Sequence, residues 1–391
     1  MKKLMMGAAA AALFAPAAMA ADLGGDCCAD LEERVAELEA TTARKGNRKV
    51  SLEVSGHVNA AILWTDIDGL DDANIIDNDN SQSRFRFKGS AKISQEWEAG
   101  FLMEFGASGV EFDGGPTVRH QALYLKHHQL GAVWLGKTST ATDGIMELSL
   151  ASSDASTLGS LSPLTGVVKN ATGLGIGNPF DGTRAQTVRY ISPSLAGFNI
   201  SAAWIDQGDS SWDAALRYAG EFGQIRVVAG VGYRKEDVSA DVVLGETDGD
   251  REFIGGSASI MHTPTGIFLD GQYGSSRGLQ TVDIDLNKAL PFIWVWPQFS
   301  IGTEAELKVY GGRVGIAQKW NRLGKTTGYF EYSKLELDDT GIDPTLWGFG
   351  LVQDVDAAAM SIYFSYRHVD LDMGGDGDDA DVFLVGSKIR F

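Results

Sequence analysis

The residues of this chain best placed to do chemistry are charged side chains that recur at every second position. Arg84, Arg86 and Lys88 alternate with Phe85 and Phe87. Extended backbone sends successive side chains to opposite faces, so the cations share one face and the rings the other. Arg189, Arg217, Arg226, Arg313 and Arg367 fall on the polar side of their own alternating stretches. The complementary charge lies in Thr138–Thr183, which carries Asp143, Glu147, Asp154 and Asp181 against the single Lys169. That segment is too long for a hairpin connection. It is expected to fold over the face that the cations line. Opposed charge across a narrow wet gap makes a transverse field, which orients dipolar solutes and disfavours apolar ones. The chemistry implied is electrostatic sorting.

Bond-making chemistry has less support. The histidines are His57, His120, His127, His128, His262 and His368, and none has a nucleophile or metal-ligand spacing around it. His127-His128 reads as a solvated pair beside a short turn, since paired histidines without further ligands rarely close a metal site. A hydrolase would need a triad scattered along the sequence; the expectation is no enzyme. Cys27 and Cys28 are adjacent and cannot easily satisfy disulfide geometry with each other, which leaves pairing between chains or free thiols. A net charge of −19 excludes a nucleic-acid binder. The acid concentrates in Thr65–Gln82 and Leu371–Asp381, where Asp66, Asp68, Asp376 and Asp378 are candidate weak ligands for Ca²⁺ or Mg²⁺. The spacing is not that of an EF-hand, and a solvated acidic loop is the plainer reading. No other cofactor is expected.

The elements that must position these residues follow from the period. From Val50 onward apolar residues return every second position. Leu52 to Ile62, Phe85 and Phe87, Phe101 to Phe105, Leu123 and Leu125, and Val133 and Leu135 make five strands. Past a long break come Val188 and Tyr190, Phe198 to Trp204, Leu216 and Tyr218, Ile225 to Tyr233, Ile254 to Ile260, and Ile267 to Tyr273. Val314 to Trp320, Phe330 and Tyr332, Trp347 to Leu351, Ile362 to Tyr366, and Phe383 to Phe391 complete about sixteen, with eighteen as the alternative count. Connections alternate short and long, with Thr65–Gln82, Thr138–Thr183, Glu236–Asp250 and Ser275–Leu307 among the long ones. Tyr190, Trp204, Tyr233, Tyr273, Trp320, Tyr332, Trp347 and Tyr366 share the apolar parity. Even strand number, alternating connections and outward aromatics predict an all-β fold, a transmembrane antiparallel barrel over 50–391. The final stretch ADVFLVGSKIRF pairs in that scheme with the first strand, because a closed barrel leaves no edge. The run PFIWVWPQF, Pro291–Phe299, sits in a connection that should be wet and reads as a subunit contact, a plug element or an extra strand.

Met1–Ala20 has the Lys2-Lys3 start, the apolar run and the Ala18-Met19-Ala20 end of a secretory signal peptide. Residues 21–49 are then a periplasmic prefix. Leu31, Val35, Leu38 and Thr42 recur there at the spacing of a short coiled-coil helix, followed by the basic cluster Arg44, Lys45, Arg48 and Lys49.

The run Arg184–Phe198, RAQTVRYISPSLAGF, resembles the strand-turn-strand after the constriction loop of general trimeric porins, with Arg184, Val188, Tyr190, Ser192, Pro193, Gly197 and Phe198 carrying the match. Together with the leader, the helical prefix, the KVSLEVSGHVN strand and terminal Phe391, the chain is similar to the alphaproteobacterial branch of that family. A last strand ending in Phe391 resembles the assembly signal of outer-membrane barrels. The resemblance implies a homotrimer in the outer membrane of a Gram-negative cell, with both termini in the periplasm. It implies passive diffusion of small hydrophilic solutes and ions through a water-filled channel, with Thr138–Thr183 as the constriction loop. Lipopolysaccharide and outer-membrane lipid are the expected surroundings. The mature start Ala21-Asp22 resembles the free termini by which some relatives join peptidoglycan. The alternative is a substrate-specific channel with an aromatic slide for sugars, for which Tyr124, Phe268, Tyr329 and Tyr363 are the inward rings.

Overall fold

A computed structural model describes residues 50–67, 70–108, 114–151, 174–176, 180–206, 211–242, 245–285, 298–337, 343–370 and 379–391. The signal peptide, the prefix with its helix, Cys27, Cys28, Asp68, Asp154, Asp376, Asp378 and residues 291–297 lie outside them.

Alternation builds the wall. The strands are β1 (Ser51–Ile67), β2 (Leu70–Asp77), β3 (Arg84–Lys92), β4 (Trp97–Ser108), β5 (Gly114–His127), β6 (Gly131–Ser139), β7 (Leu174–Ile176), β8 (Arg184–Ile191) and β9 (Phe198–Ile205). They continue as β10 (Trp212–Phe222), β11 (Ile225–Val242), β12 (Gly245–His262), β13 (Ile267–Asp285), β14 (Gln298–Gln318), β15 (Thr326–Leu337), β16 (Thr345–Val355), β17 (Met360–Asp370) and β18 (Asp379–Arg390). β2 and β3 both pair with β1 and are two halves of one wall strand, while β7 belongs to the long loop and pairs with β13. That leaves sixteen antiparallel wall strands, closed by β1 against β18. The last residue finishes the seam. Phe391 and Gly56 exchange backbone hydrogen bonds at 3.0 Å, and the Phe391 ring lies where a Cβ on Gly56 would stand.

Outside, apolar side chains meet lipid and need no polar partner. Val58, Ile62, Leu123, Leu135, Ile200, Leu269 and Leu351 are exposed there, and their strand neighbours turn inward. Aromatic residues rim this band. Trp64, Phe383, Tyr366 and Trp347 touch in series near the loop side, with ring centroids 4.8–5.6 Å apart. Phe198, Tyr218 and Phe222 do so near the turn side, at 4.6 and 6.3 Å. From Gly56, beside Phe391, to Trp64 the strand climbs roughly 26 Å, or about 20 Å once tilted, close to the height of a bilayer's apolar core.

The wall is uneven, and here the loops differ from expectation. β11 to β14 run 18, 18, 19 and 21 residues, against 8 in β8 and β9. About ten residues span a membrane, so the tall strands stand well above it. Glu236–Asp250 is therefore hairpin, with Glu236 opposite Arg251 and Val242 opposite Gly245. Ser275–Leu307 is strand to Asp285 and again from Gln298, which puts Phe299 opposite Ile284. Thr65–Gln82 contains all of β2, and Asp66 lies in β1 opposite Asp71 and Asp381. Above the membrane both faces are wet, so the apolar period that marks a strand disappears.

Candidate functional site

The segment after β6 turns into the barrel and is stitched to its inner face. Buried Asp213 on β10 accepts the N–H groups of Ala141 (2.9 Å) and Thr142 (2.7 Å) and the Thr142 hydroxyl (2.7 Å). Arg189 donates to the carbonyls of Ser139 and Thr140, and Arg217 to that of Asp143 at 2.9 Å. Farther along, Leu148 N–H donates to Ser257 Oγ and Leu150 N–H to Ser259 Oγ, both at 3.0 Å. Ser149 Oγ bridges Asp270 and Arg313, at 2.8 Å to each. The returning limb is tied by Asp181, whose Oδ1 accepts from Ile145 N–H and Gly182 N–H, and by Arg234, which donates to the Asp181 carbonyl. Outgoing and returning limbs cross at Gly182, where a Cβ would strike the Asp143 nitrogen.

Packing adds to this. Ile145, Met146 and Phe180 are 0–1 % exposed and belong to one cluster with Ala203, Ala215 and Phe253 on the wall. Burying each large side chain stabilises the seat by about 1.5–3 kcal/mol. Gly230 and Gly232 make the slot, since a Cβ at Gly230 would come within 2.7 Å of Ile145 Cδ1, and one at Gly232 within 2.7 Å of Thr142 Cγ2.

The loop leaves guanidinium groups gathered on the β3–β5 wall. Glu104, fully buried, accepts from Arg86 Nε at 2.6 Å and Arg119 Nε at 2.8 Å, with Arg84 at 3.7 Å and His120 Nε2 at 3.9 Å. Arg184, at the start of β8, acts electrostatically on Arg84 and Arg119. Asp143 on the loop is within electrostatic reach of Arg119, Arg189 and Arg217. Glu147 is exposed beside them. Burial, then nearby Glu147 and Asp143, push the Asp181 carboxyl well above the usual carboxylate range. Low dielectric disfavours the charged form, and like charges add to that.

Of the cations expected on the wall, Arg189 and Arg217 bond the loop, while Arg84 and Arg86 gather around Glu104. Arg313 also touches the loop, at Ser149, but pairs with Asp270 at 2.8 Å, both side chains fully buried, and its guanidinium lies over the rings of Tyr329 and Phe268. Arg367 pairs with Glu331 at 2.8 Å. Arg226 meets Glu221 at 3.0 Å beside the β10–β11 turn, and Lys88 lies lower on the wall, opposite Glu53 and Leu102. Parity missed Arg119. The β4–β5 register slips between Glu104 and Phe105, leaving Arg119 as an extra residue in the ladder. Such bulges re-aim side chains.

The inward rings are wall, not slide. Tyr124, Phe268, Tyr329 and Tyr363 are 1–8 % exposed. They cover Gly100, Gly315, Gly350 and Gly386, their register partners on the adjacent strands. The histidines hold structure. His57 Nε2 reaches the carbonyls of Ser81 and Gln82, and His120 Nδ1 reaches Thr138 Oγ1. Glu96, His127 and His128 bring ligand atoms within 4.8 Å of one another. Yet His127 Nδ1 accepts the N–H groups of Gln129 and Leu130, so Nε2 carries the proton and donates to Glu96 at 3.3 Å. That geometry caps a turn and leaves His127 no free ring lone pair to offer a metal.

A family model described as Gram-negative porin matches residues 7–388. Among solved structures, the chain is similar to an anion-selective porin from Comamonas acidovorans, with 16% identity over 88% of this chain and 100% of that one and a TM-score of 0.61. It is also similar to the outer membrane channel DcaP of Acinetobacter baumannii, at 12% identity, 89% and 99% coverage and a TM-score of 0.56. The trimer form of OmpT, an outer membrane protein of Vibrio cholerae, has 16% identity, 88% and 99% coverage and a TM-score of 0.52. A search of the curated proteins finds no match.

Proposed function

This chain belongs to the Gram-negative porin family, and from that premise we propose how its channel sorts what it passes. It is an outer-membrane channel for passive diffusion of small hydrophilic solutes and ions. The eyelet lies between the seated loop and the β3–β5 and β8–β10 wall. Among the described residues, six guanidinium groups, of Arg84, Arg86, Arg119, Arg184, Arg189 and Arg217, meet five carboxyl groups, of Glu104, Asp143, Glu147, Asp181 and Asp213, with the Asp181 carboxyl pushed above the usual range by burial and by Glu147 and Asp143. Among the described residues cations therefore exceed anions at the narrow level, although the whole chain is acidic. Field in a low-dielectric channel is set by the local groups, so small anions pass more readily than small cations. The observation that carries this is the set of arginines around the single buried Glu104.

The test is the reversal potential of purified protein in a planar bilayer under a KCl gradient. A chloride-preferring value supports the reading, and a potassium-preferring value contradicts it. A sugar-specific channel is not favoured, because the inward rings are 1–8 % exposed and fill the space over glycines.

The remaining assignments extend this reading. The channel works without catalytic turnover. It assembles as a homotrimer, as the trimer form of the Vibrio cholerae protein does. Both ends of the wall face the periplasm, since Phe391 leaves the barrel beside Gly56 on the side of the short turns. Residues 1–20 direct export, and 21–49 form the prefix that reaches peptidoglycan. Above the loop-side belt, Lys235, Arg277, Lys308 and Lys334 each sit beside a carboxylate. Such mixed charge suits lipopolysaccharide bridged by divalent ions, with weak Ca²⁺ or Mg²⁺ binding by the acidic loops.

A further inference from the structure

The second wall strand is broken inside the barrel. β2 ends with Asp77 opposite Ala60, and β3 resumes with Arg84 opposite His57. Six residues, Asn78–Ser83, stand where the ladder has room only for the partners of Val58 and Asn59. The surplus turns inward as a single 3-10 turn, Asp79–Ser81, capped by Asn78 Oδ1 on Asn80 N–H. Its direction is fixed by its partners. The Ser81 carbonyl accepts from Asn59 Nδ2 at 2.9 Å and lies 3.1 Å from His57 Nε2, and Lys388 Nζ reaches Ser81 Oγ at 3.4 Å. His57, Asn59 and Lys388 face the lumen, since their strand neighbours Val58 and Ile389 are exposed on the outer face.

The turn is held by a closed network. Fully buried Asp77 accepts both the N–H and the hydroxyl of Ser83 at 2.8 Å. Fully buried Asn59 receives the Tyr363 hydroxyl at 2.6 Å and donates its own N–H to Ser83 Oγ at 2.8 Å. Buried polar networks with every member satisfied are rigid. Gln82, at the end of the turn, then meets the arginines. Its Oε1 accepts from Arg119 Nη1 at 3.0 Å, and its carbonyl accepts from Arg84 Nε at 2.8 Å.

We infer that Asn78–Ser83 is the second half of the eyelet, a wall-borne element opposite the loop, and that Gln82 is a specificity-determining residue. This rests on the eyelet reading above. Gln82 shares Arg84 and Arg119 with Glu104 and keeps them from turning wholly onto that carboxylate. Their charge stays directed at the solute path, and the solutes it favours are small carboxylates, phosphates and halides.

The ladder supplies the test. Deleting Asp79–Gln82 leaves Asn78 and Ser83 opposite Asn59 and Val58, an unbroken strand. In planar bilayers the single-channel conductance then rises by roughly half or more, because a turn has left the lumen. The KCl reversal potential moves toward potassium. Gln82→Leu keeps the turn, so its reversal potential moves the same way without the rise in conductance. An unaltered reversal potential in both variants overturns the inference. Should the deletion fail to assemble, Gln82→Leu and a labelling experiment decide. Gln82→Cys, with Cys27→Ser and Cys28→Ser, is treated with a charged methanethiosulfonate. Stepwise loss of current places residue 82 in the solute path, and unchanged current refutes that. Absence of any channel in the unaltered protein contradicts the eyelet reading itself. A conducting protein whose deletion variant behaves identically contradicts only this inference.

Discussion

Asp213→Asn tests whether the loop is clamped or merely rests in the lumen. Asp213 is 0 % exposed, with one carboxylate oxygen on Ala141 N–H and the other on Thr142 N–H and Oγ1. Asparagine keeps the shape and only one acceptor oxygen. Its better orientation retains both Thr142 bonds and turns the amide NH₂ toward Ala141 N–H. One charge-assisted bond, worth about 1.5–3 kcal/mol, is then replaced by two opposed donors, and the surviving bonds lose their charge. A loss of roughly 3 kcal/mol corresponds to about a hundredfold rise in the open population of this limb. The wall ladder is untouched, so barrel melting stays near that of the unaltered protein. Hydrogen exchange followed by mass spectrometry over 140–151 reads the effect directly. Exchange should accelerate by one to two orders of magnitude there and remain unchanged in β12–β14, while single-channel records become noisier. Unaltered protection over 140–151 would refute the clamp and show that Ile145, Met146 and Phe180 seat the loop unaided.

Arg119→Gln removes one guanidinium from Glu104 but leaves Arg86 in place, so the KCl reversal potential should move toward potassium; no movement excludes Arg119 from the solute path. Titration offers a second check. With its pKa raised, Asp181 is neutral at low pH and gains its charge as pH rises through that value, so potassium permeability should increase with pH, and Asp181→Asn should abolish that component. If the pH dependence survives in Asp181→Asn, another group is responsible. Tyr363→Ala empties a 1 % exposed site over Gly386 and orphans Asn59 Oδ1, which should cost about 3–5 kcal/mol and lower the barrel's melting temperature; an unchanged melting temperature would refute the packing role.

The alternation of residues such as Val54, Val58 and Ile62 made the wall readable, because lipid outside and water inside impose opposite demands on neighbouring side chains. The same cause hid what lies elsewhere. In the loop-side end of β2, Leu70–Asp72, and the upper halves of β11–β14 both faces are wet, so strand reads as loop. The Asn78–Ser83 turn is polar throughout and vanished into the same acidic stretch. Inward direction was legible for Arg313 and Arg367, but their neutralisation was not. Asp270 is the direct register partner of Arg313, and Glu331 reaches Arg367 across Gly348, whose missing Cβ clears the way. These pairs depend on strand register, which periodicity does not specify. The length and acidity of Thr138–Thr183 marked the loop, yet its anchors Asp213, Ser257 and Arg234 come from strands far along the chain.

A water-filled diffusion path has its own electrical signature. It is read in the single-channel conductance of the unaltered protein, measured against KCl concentration with and without a neutral sugar in excess. Diffusion through a wet eyelet predicts ohmic steps that grow nearly in proportion to salt and fall with sugar only as bulk conductivity falls. Conductance that saturates at low salt, closure by one sugar at low concentration, or no steps at all would rule out such a path.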